Sequence, residues 1–502
     1  MDAVLAGLLQ LSQPHLLLII FCGFTLGFAV GAVPGFNDAN LMAILLPLSV
    51  YMDPIEAVVG MSVLYFSAQT AGSVPAILMN IPGTGGNAAT TLDGHPMARM
   101  GQGGRALGLS LGASTVGATF GAVAALILAP ALGRAALSFG PAELFLVAVF
   151  GLTIVGSVSG SDPLRAIFAI CLGILVAMIG VHPASGFERS TWGLAELYDG
   201  IGLIPVILGL FGVPELIALC RQKTIETGDA PGEAPDSVQI WQGFREALRY
   251  RTALAVSSVT GLIVGIVPGA GAAIGSFVSY GFVRRLSKRP QDFGKGSPEG
   301  LIGSDAANNA VACGAVIPLI TLGLPGSAST TVMLAALALQ GIRPGPQFFM
   351  AYETQAFTIL WSFMAAALLI AVVGIPFARL SRRITRVPMM RLAPVTLFLL
   401  CVGAYANRFS VFDMGLMLGF GAIGIAMRAG RYPIPAFLLA FILTPVLEAN
   451  YQRATRIGGH DIFLQSPICL GLIALSVASL LIPLAGRLWI ARPSSKPVTH
   501  ES

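Results

Sequence analysis

The amino-acid sequence predicts an all-α fold, a polytopic helical membrane protein with two structural repeats containing Pro-Gly-broken helices or re-entrant hairpins. Three observations predict it. Of 502 residues, 55% are hydrophobic and only 11% charged, with mean hydropathy +0.80, against about 25% charged residues in a soluble domain. Apolar stretches at 163–181, 354–378 and 467–485 approach or exceed the roughly 20 residues that cross a bilayer core, and the alternating segments of an outer-membrane barrel are absent. One pattern also occurs twice at identical offsets: Gly27, Gly31, Pro34 and Gly35, then Gly261, Gly265, Pro268 and Gly269.

In chain order, a first span at 15–33 ends at Pro34-Gly35, and an apolar run at 41–50 follows. Residues 55–80 read as a helix stopped by Asn80 and Pro82, since proline cannot continue a helical ladder. The segment 83–104, rich in Gly and Thr, reads as a loop carrying Asp93, Arg99 and Arg105. Further spans at about 107–138, 142–158, 163–181 and 201–220 complete a first half, residues 1–220. In 221–251, Glu226, Asp229 and Asp236 mix with Arg221, Lys223 and Arg245 around Pro231 and Pro235, the composition of a solvated, cytoplasmic linker. The second half, 252–490, restarts with the repeat and adds spans beyond about residue 392; 491–502 form a polar tail. Whether the repeats are inverted or parallel turns on the number of crossings between them, which the span count leaves open.

The net charge is +5 and the pI about 9.0, but the cations do not spread over a nucleic-acid-binding face. They cluster between spans, as Arg284, Arg285, Lys288, Arg289 and Lys295, and as Arg379, Arg382, Arg383, Arg386 and Arg391. The positive-inside rule places both clusters in the cytoplasm. No Lys or Arg precedes Arg99, so the positive start of a cleavable signal is missing and the first span is expected to direct insertion.

Enzyme signatures are missing. Six scattered cysteines without C-x-x-C spacing suggest neither disulfides nor zinc. Five dispersed histidines form no H-E-x-x-H, there is no Walker-type loop, and Gly326-Ser327 lacks the G-x-S-x-G of a nucleophile elbow. The expectation is a protein that is not an enzyme, has no cofactor and no metal beyond a coupling Na⁺, and draws energy from an ion gradient or another subunit.

Each half carries a second interruption, Asn80-Ile81-Pro82-Gly83-Thr84 and Gly323-Leu324-Pro325-Gly326-Ser327, the latter running on into Ser329, Thr330 and Thr331. A helix broken within lipid leaves backbone groups unpaired, which is tolerated only where protein or a wet cavity satisfies them. The restarted half-helix turns free N–H groups and its positive dipole end into the gap, which favours a carboxylate or phosphate without a buried cation. A single break reads as a packing kink, because Gly and Pro are common in membrane helices; two breaks in each of two halves point to a transporter's substrate site.

On that reading Asn80, Pro82, Gly83, Thr84, Gly326, Ser327, Ser329 and Thr330 bind substrate near mid-membrane. Asn37, Asp38 and Asn40 after the first break, and Asn308 and Asn309 in the second half, form the ion or substrate region: oxygen-rich groups suit Na⁺, and an embedded Asp suits a proton. Helix capping is the competing role, with Ser304 or Asp305 as an N-cap. Asp93, Arg99 and Arg105 read as a solvated loop, or else a gate or docking loop. Arg343 reads as snorkelling to the interface, and Glu448, Asn450 and Arg453 as a structural polar cluster.

The order of the motifs resembles one family over nearly the whole chain. From Gly27 to Gly35, the 80–84 break, Leu92-Asp-Gly-His-Pro-Met-Ala-Arg99, Pro268-Gly-Ala-Gly271, Phe293-Gly-Lys-Gly296, Ala306-Ala-Asn-Asn309, the 323–327 break and Thr444-Pro-Val-Leu-Glu448, the chain resembles the large membrane subunit of the tripartite tricarboxylate transporter family, the TctA type. The resemblance implies a multi-pass permease of the bacterial inner membrane that imports tri- or dicarboxylates by cation symport, with Na⁺ or H⁺ as coupling ion. It also implies two partners, a small TctB-type membrane subunit and a TctC-type periplasmic substrate-binding protein. Phe36-Asn37-Asp38 departs from the Leu-Gly-type continuation more common in the family, and its extra acidic residue bears on ion or substrate preference. The alternative is a passive channel or pore component for small anions, which would need neither a binding protein nor a gradient.

Overall fold

The computed structural model describes residues 2–34, 37–158, 163–182, 185–221, 237–345, 348, 351–384, 393–406 and 408–490. Gly35 and Phe36, residues 222–236, Arg386, Arg391 and the 491–502 tail lie outside them. Within the described residues the fold is helical apart from one small hairpin, Gly180–Val181 paired antiparallel with Glu188–Arg189. Among the described residues eight helices are long and apolar enough to cross a membrane, as an all-α polytopic membrane protein requires.

The first half opens with α1 (Asp2–Leu11), α2 (Pro14–Gly31), α3 (Asp38–Ser49), α4 (Pro54–Ala71), α5 (Ser73–Met79) and α6 (Thr90–Met97). It continues with α7 (Gly103–Ala136), α8 (Pro141–Val158), α9 (Pro163–Ala177), α10 (Leu203–Ile207) and α11 (Val213–Arg221). Then come α12 (Ser237–Ala247), α13 (Arg251–Ile266), α14 (Gly271–Leu286), α15 (Pro298–Leu322) and α16 (Ala328–Leu339). The C-terminal part holds α17 (Glu353–Leu369), α18 (Ile375–Ile384), α19 (Ala393–Ala406), α20 (Val411–Ala429), α21 (Ile434–Gly458), α22 (Ile462–Gln465) and α23 (Pro467–Ile490).

Small residues bring two helix pairs into backbone contact. Gly31 of α2 lies on α4, where an added Cβ would stand 2.6 Å from Ala68 Cα; Gly265 of α13 lies on α15, where it would stand 2.9 Å from Val311 Cα. Such contacts let membrane helices associate where lipid gives no hydrophobic drive. α15 is almost entirely buried, packed by α13, α14 and α7; an added Cβ at Gly117 of α7 would stand 2.8 Å from Ala306 Cα.

The two inner breaks use one device. α5 stops at Asn80 (φ 59) and α15 at Gly323 (φ 71), both left-handed. Ile81 N–H then donates to Pro75 O at 3.3 Å and Leu324 N–H to Pro318 O at 3.1 Å, satisfying carbonyls that the helix end leaves free.

Three local expectations change. The 83–104 segment contains α6 rather than only loop, because buried Asp93 anchors it. Asp93 Oδ1 accepts from the N–H groups of Gly294, Gly296 and Ser297 at 2.8, 2.9 and 2.8 Å, and its Oδ2 from Tyr280 OH at 2.9 Å. Neither Ser304 nor Asp305 caps a helix, since α15 begins earlier, at Pro298, with Ser297 as its cap accepting from Gly300 N–H at 3.3 Å. The described end of the 221–251 stretch contains a helix, α12, which exposes Val238, Gln239, Trp241, Gln242 and Arg245, buries Ile240, Gly243, Phe244 and Ala247 and is pinned to α7 by Arg105. That guanidinium donates to both Glu246 oxygens, at 2.8 and 2.6 Å, a bidentate geometry.

Candidate functional site

All four breaks open on one cavity of about 780 Å³. Its wall takes Asn37, Asp38 and Asn40 after the first break and Thr84, Gly85 and Gly86 after the second. The third contributes 269–274 and the fourth Ser327, Ala328, Ser329 and Thr331. Phe211, Glu215, Arg428 and residues 432–435 close the remaining side.

Helix starts dominate this lining. Asn37 caps α3, its Oδ1 accepting from Ala39 N–H at 3.3 Å. Ser327 and Thr330 form a reciprocal capping box at the start of α16, at 3.2 and 2.7 Å. Gly269 (φ 79) and Gly271 (φ 68) lead into α14 in left-handed conformations that glycine adopts without steric cost. The first N–H groups of a helix have no partner within it, so the first turns of α14 and α16 present backbone donors and positive dipole ends to the cavity.

Of the residues selected from sequence, Asn37, Asp38, Asn40, Thr84, Ser327 and Ser329 share the cavity wall. Ser329 Oγ donates to Asp38 Oδ2 at 2.7 Å, joining the halves. Asn80 and Pro82 are exposed and away from that wall; Asn80 is the left-handed stop of α5. Gly83 and Gly326 are buried packing positions, where an added Cβ would meet Gly72 Cα at 2.5 Å and Ala315 Cβ at 2.8 Å. Thr330 is buried and engaged with Ser327.

Asn308 and Asn309 lie one layer behind the wall, fully buried. Gln69 of α4, which lines the cavity, donates to Asn308 O at 3.0 Å and Oδ1 at 2.9 Å. Thr70 Oγ1 donates to Asn309 Oδ1 at 2.6 Å, and Asn309 Nδ2 to Asp305 O at 3.1 Å. With its amide nitrogen toward Gln69 O (3.2 Å) and Thr84 Oγ1 (2.6 Å), Asn87 accepts from Asn308 Nδ2 and Ser73 N–H. The result is a paired polar seam between α4 and α15, as buried polar groups require.

Sequence reasoning missed the charged wall. Arg428, at the end of α20, reaches Glu215 Oε2 at 3.4 Å, Asn40 Oδ1 at 3.5 Å and Phe211 O at 3.4 Å. Asn40 Nδ2 donates to the same Glu215 oxygen at 2.6 Å. Glu215 is 5% exposed, whereas the Arg428 side chain is 36% exposed and its contacts are long, so the guanidinium keeps donors for a second anion. The signal was present: ionisable residues inside apolar runs mark functional sites.

Elsewhere, Glu448 accepts from Arg189 at 2.7 and 3.3 Å and faces His182 at 3.0 Å. Asn450 Nδ2 donates to Val446 O at 2.9 Å. Among the described residues no group of three or more His, Cys, Asp and Glu is arranged to hold a metal ion.

These features define a multi-pass membrane protein with an open cavity, lined by interrupted helices and carrying Asp38, Glu215 and Arg428 in its wall. The chain belongs to the tripartite tricarboxylate transporter TctA family, whose family model matches residues 17–439; it is a large transporter subunit and not an enzyme. A protein of Agrobacterium vitis described as an uncharacterized 52.8 kDa protein in the TAR-I ttuC' 3' region is 33% identical over 471 residues, 92% of each chain. Another from the same organism, described as an uncharacterized protein in the TAR-II ttuC' 3' region, is 33% identical over 227 residues, 45% of this chain and 93% of that relative. No solved structure matches the chain.

Proposed function

We propose that this subunit is the permease of a binding-protein-dependent secondary transporter that imports a tri- or dicarboxylate across the bacterial inner membrane by symport with Na⁺ or H⁺. The observation supporting this is the convergence of four helix breaks and Arg428 on one cavity. A carboxylate there takes hydrogen bonds from the Thr84 and Ser327 hydroxyls and from the amides at the starts of α14 and α16. A second carboxylate of the same molecule takes Arg428, charge-assisted hydrogen bonds being about twice as strong as neutral ones.

The small membrane subunit fits a role as structural partner, and the periplasmic binding protein delivers the substrate. Two halves that meet at a central cavity suit alternating access by movement of one bundle against the other.

The test is uptake of labelled citrate and a panel of dicarboxylates by cells lacking other carboxylate carriers. Assays run with and without the two partner subunits, in Na⁺-containing and Na⁺-free buffer, and with a protonophore. Uptake that needs the binding protein and a cation gradient is the expected result. Equilibrating flux independent of both would replace the symporter by a passive pore.

A further inference from the structure

The polar seam ends on the main-chain carbonyl of Asp305, whose acid the carboxylate cavity does not use. Asp305 sits in the body of α15 and is 1% exposed. Thr90 Oγ1 of α6 donates to its Oδ1. Among the described residues Oδ2 makes no close hydrogen bond; the fully buried Ser110 hydroxyl on α7 faces this carboxyl as a weak donor and has no other partner.

No cation answers it. The elements packed against α15 carry Glu56 and Tyr65 on α4, Asp93 and His95 on α6, Arg105 and Arg134 on α7, Arg251 on α13, and Tyr280, Arg284 and Arg285 on α14; Glu56 faces His15 at 3.6 Å. Asp93 and Tyr280 are engaged with each other and with the 294–297 loop, Arg105 with Glu246, and His95 with Ile77 O. Among the described residues none of these groups forms an ion pair with Asp305. A lone carboxylate in dry surroundings is costly unless it takes up a cation.

The surroundings favour a proton over a metal ion. α15 is unbroken from Pro298 to Leu322, so the carbonyls around position 305 are committed to its own hydrogen bonds. Among the described residues the side-chain oxygens placed against the acid are those of Thr90 and Ser110, whereas hard cations such as Ca²⁺ and Mg²⁺ gather six or more oxygen ligands. A proton needs one lone pair, and Oδ2 offers it.

We propose that Asp305 is the proton-carrying residue of this permease: its carboxylate takes a proton on Oδ2, giving the neutral acid, and returns it in the transport cycle. This rests on the transporter reading and names its coupling ion. The link to the substrate is structural. Asp305 O holds Asn309, Asn309 holds Thr70, and Thr70 adjoins Gln69, which lines the cavity. Charging or neutralising Asp305 therefore acts on the α15 turn whose carbonyl holds Asn309, one layer behind the cavity wall.

The test reads the proton directly, with no substrate present. The full chain in lipid vesicles is titrated from acid to alkaline pH, and infrared difference spectra follow the C=O stretch of protonated carboxyl groups. Asp305→Asn should lose one such band, Asp305→Glu should keep a shifted one, and Ser110→Ala should move the band without abolishing it. Replacing KCl by NaCl should change nothing.

Identical spectra for wild type and a folded Asp305→Asn overturn the proposal, as does a band unmoved in Ser110→Ala if Asp305→Asn does not fold. Loss of the wild-type band in NaCl reassigns the site to a metal cation. Failure of every carboxylate in the uptake assay would remove the transporter reading while leaving this titration intact, so the two are separable.

Discussion

Ser329 Oγ donates to Asp38 Oδ2 at 2.7 Å, so the first turn of α16 in the second half is tied to the first turn of α3 in the first. Both residues line the cavity. A side-chain carboxyl is thus already held where the starts of these two helices meet.

Ser329→Ala removes the hydroxyl that ties Asp38 in the wall and leaves that carboxyl free to meet the substrate. A hydrogen bond contributes about 0.5–1.5 kcal/mol net, so the KM for carboxylate uptake should rise by about two- to tenfold with the amount of membrane-inserted protein unchanged. Uptake kinetics at equal expression check it; an unchanged KM removes Ser329 from the binding wall.

Two glycines of the second break should behave differently. At Gly83 an added Cβ stands 2.5 Å from Gly72 Cα and 3.1 Å from Gly31 O, so Gly83→Ala should destabilise the protein by about 1–3 kcal/mol through overpacking. At Gly85 the nearest atom is Ala273 Cβ at 3.5 Å, ordinary contact, so Gly85→Ala should keep its thermal stability while intruding on the cavity and lowering uptake. Melting curves of both purified variants, read beside uptake, separate packing from binding.

Arg428→Gln should weaken carboxylate uptake by about tenfold or more, the scale of a lost charge-assisted hydrogen bond of about 1.5–3 kcal/mol. It also leaves Glu215 buried without its cation, which costs more than removing both charges. Arg428→Gln combined with Glu215→Gln should therefore recover thermal stability but not uptake. Recovery of both would make Arg428 a structural partner of Glu215 alone.

The α12 anchor should be acid-sensitive. Its hydrogen bonds from Arg105 hold the Glu246 carboxyl below its ordinary value of 4.5. A carboxyl depressed in the folded state stabilises it above that ordinary value, and the contribution disappears as pH falls through the lower folded value. Glu246→Gln should thus be less stable than wild type at neutral pH, with the gap closing under acid. Melting temperatures of the two proteins across that range measure it.

Much of this architecture was legible because proline and glycine act locally. The breaks at Pro34, Pro82, Pro268 and Pro325 could be read from spacing, and so could hydroxyls and amides gathered beside them. What no local pattern carries is partnership across distance. Arg428 and Glu215 lie 213 positions apart, and Gln69 and Thr70 meet Asn308 and Asn309 from 239 positions away. The capping role for Asp305 failed for a related reason: Pro298 and Ser297 start α15 earlier, turning an expected helix-end residue into an interior one. The 83–104 stretch has loop composition, yet Asp93 finds its three N–H donors around residues 294–297, and that distant loop fixes α6.

The glycine-mediated contacts of α2 on α4 and of α13 on α15 make each pair a stiff slab, interlocked at the main chain. Between the slabs run bonds of another kind, from Gln69 and Thr70 to Asn308 and Asn309. Amides and hydroxyls exchange partners readily, whereas interlocked backbones slide only by separating. The plane along which this molecule should yield is therefore its polar buried one, and a solute in the cavity beside it would be released or gripped by the reshuffling of a few side chains rather than by the repacking of a core.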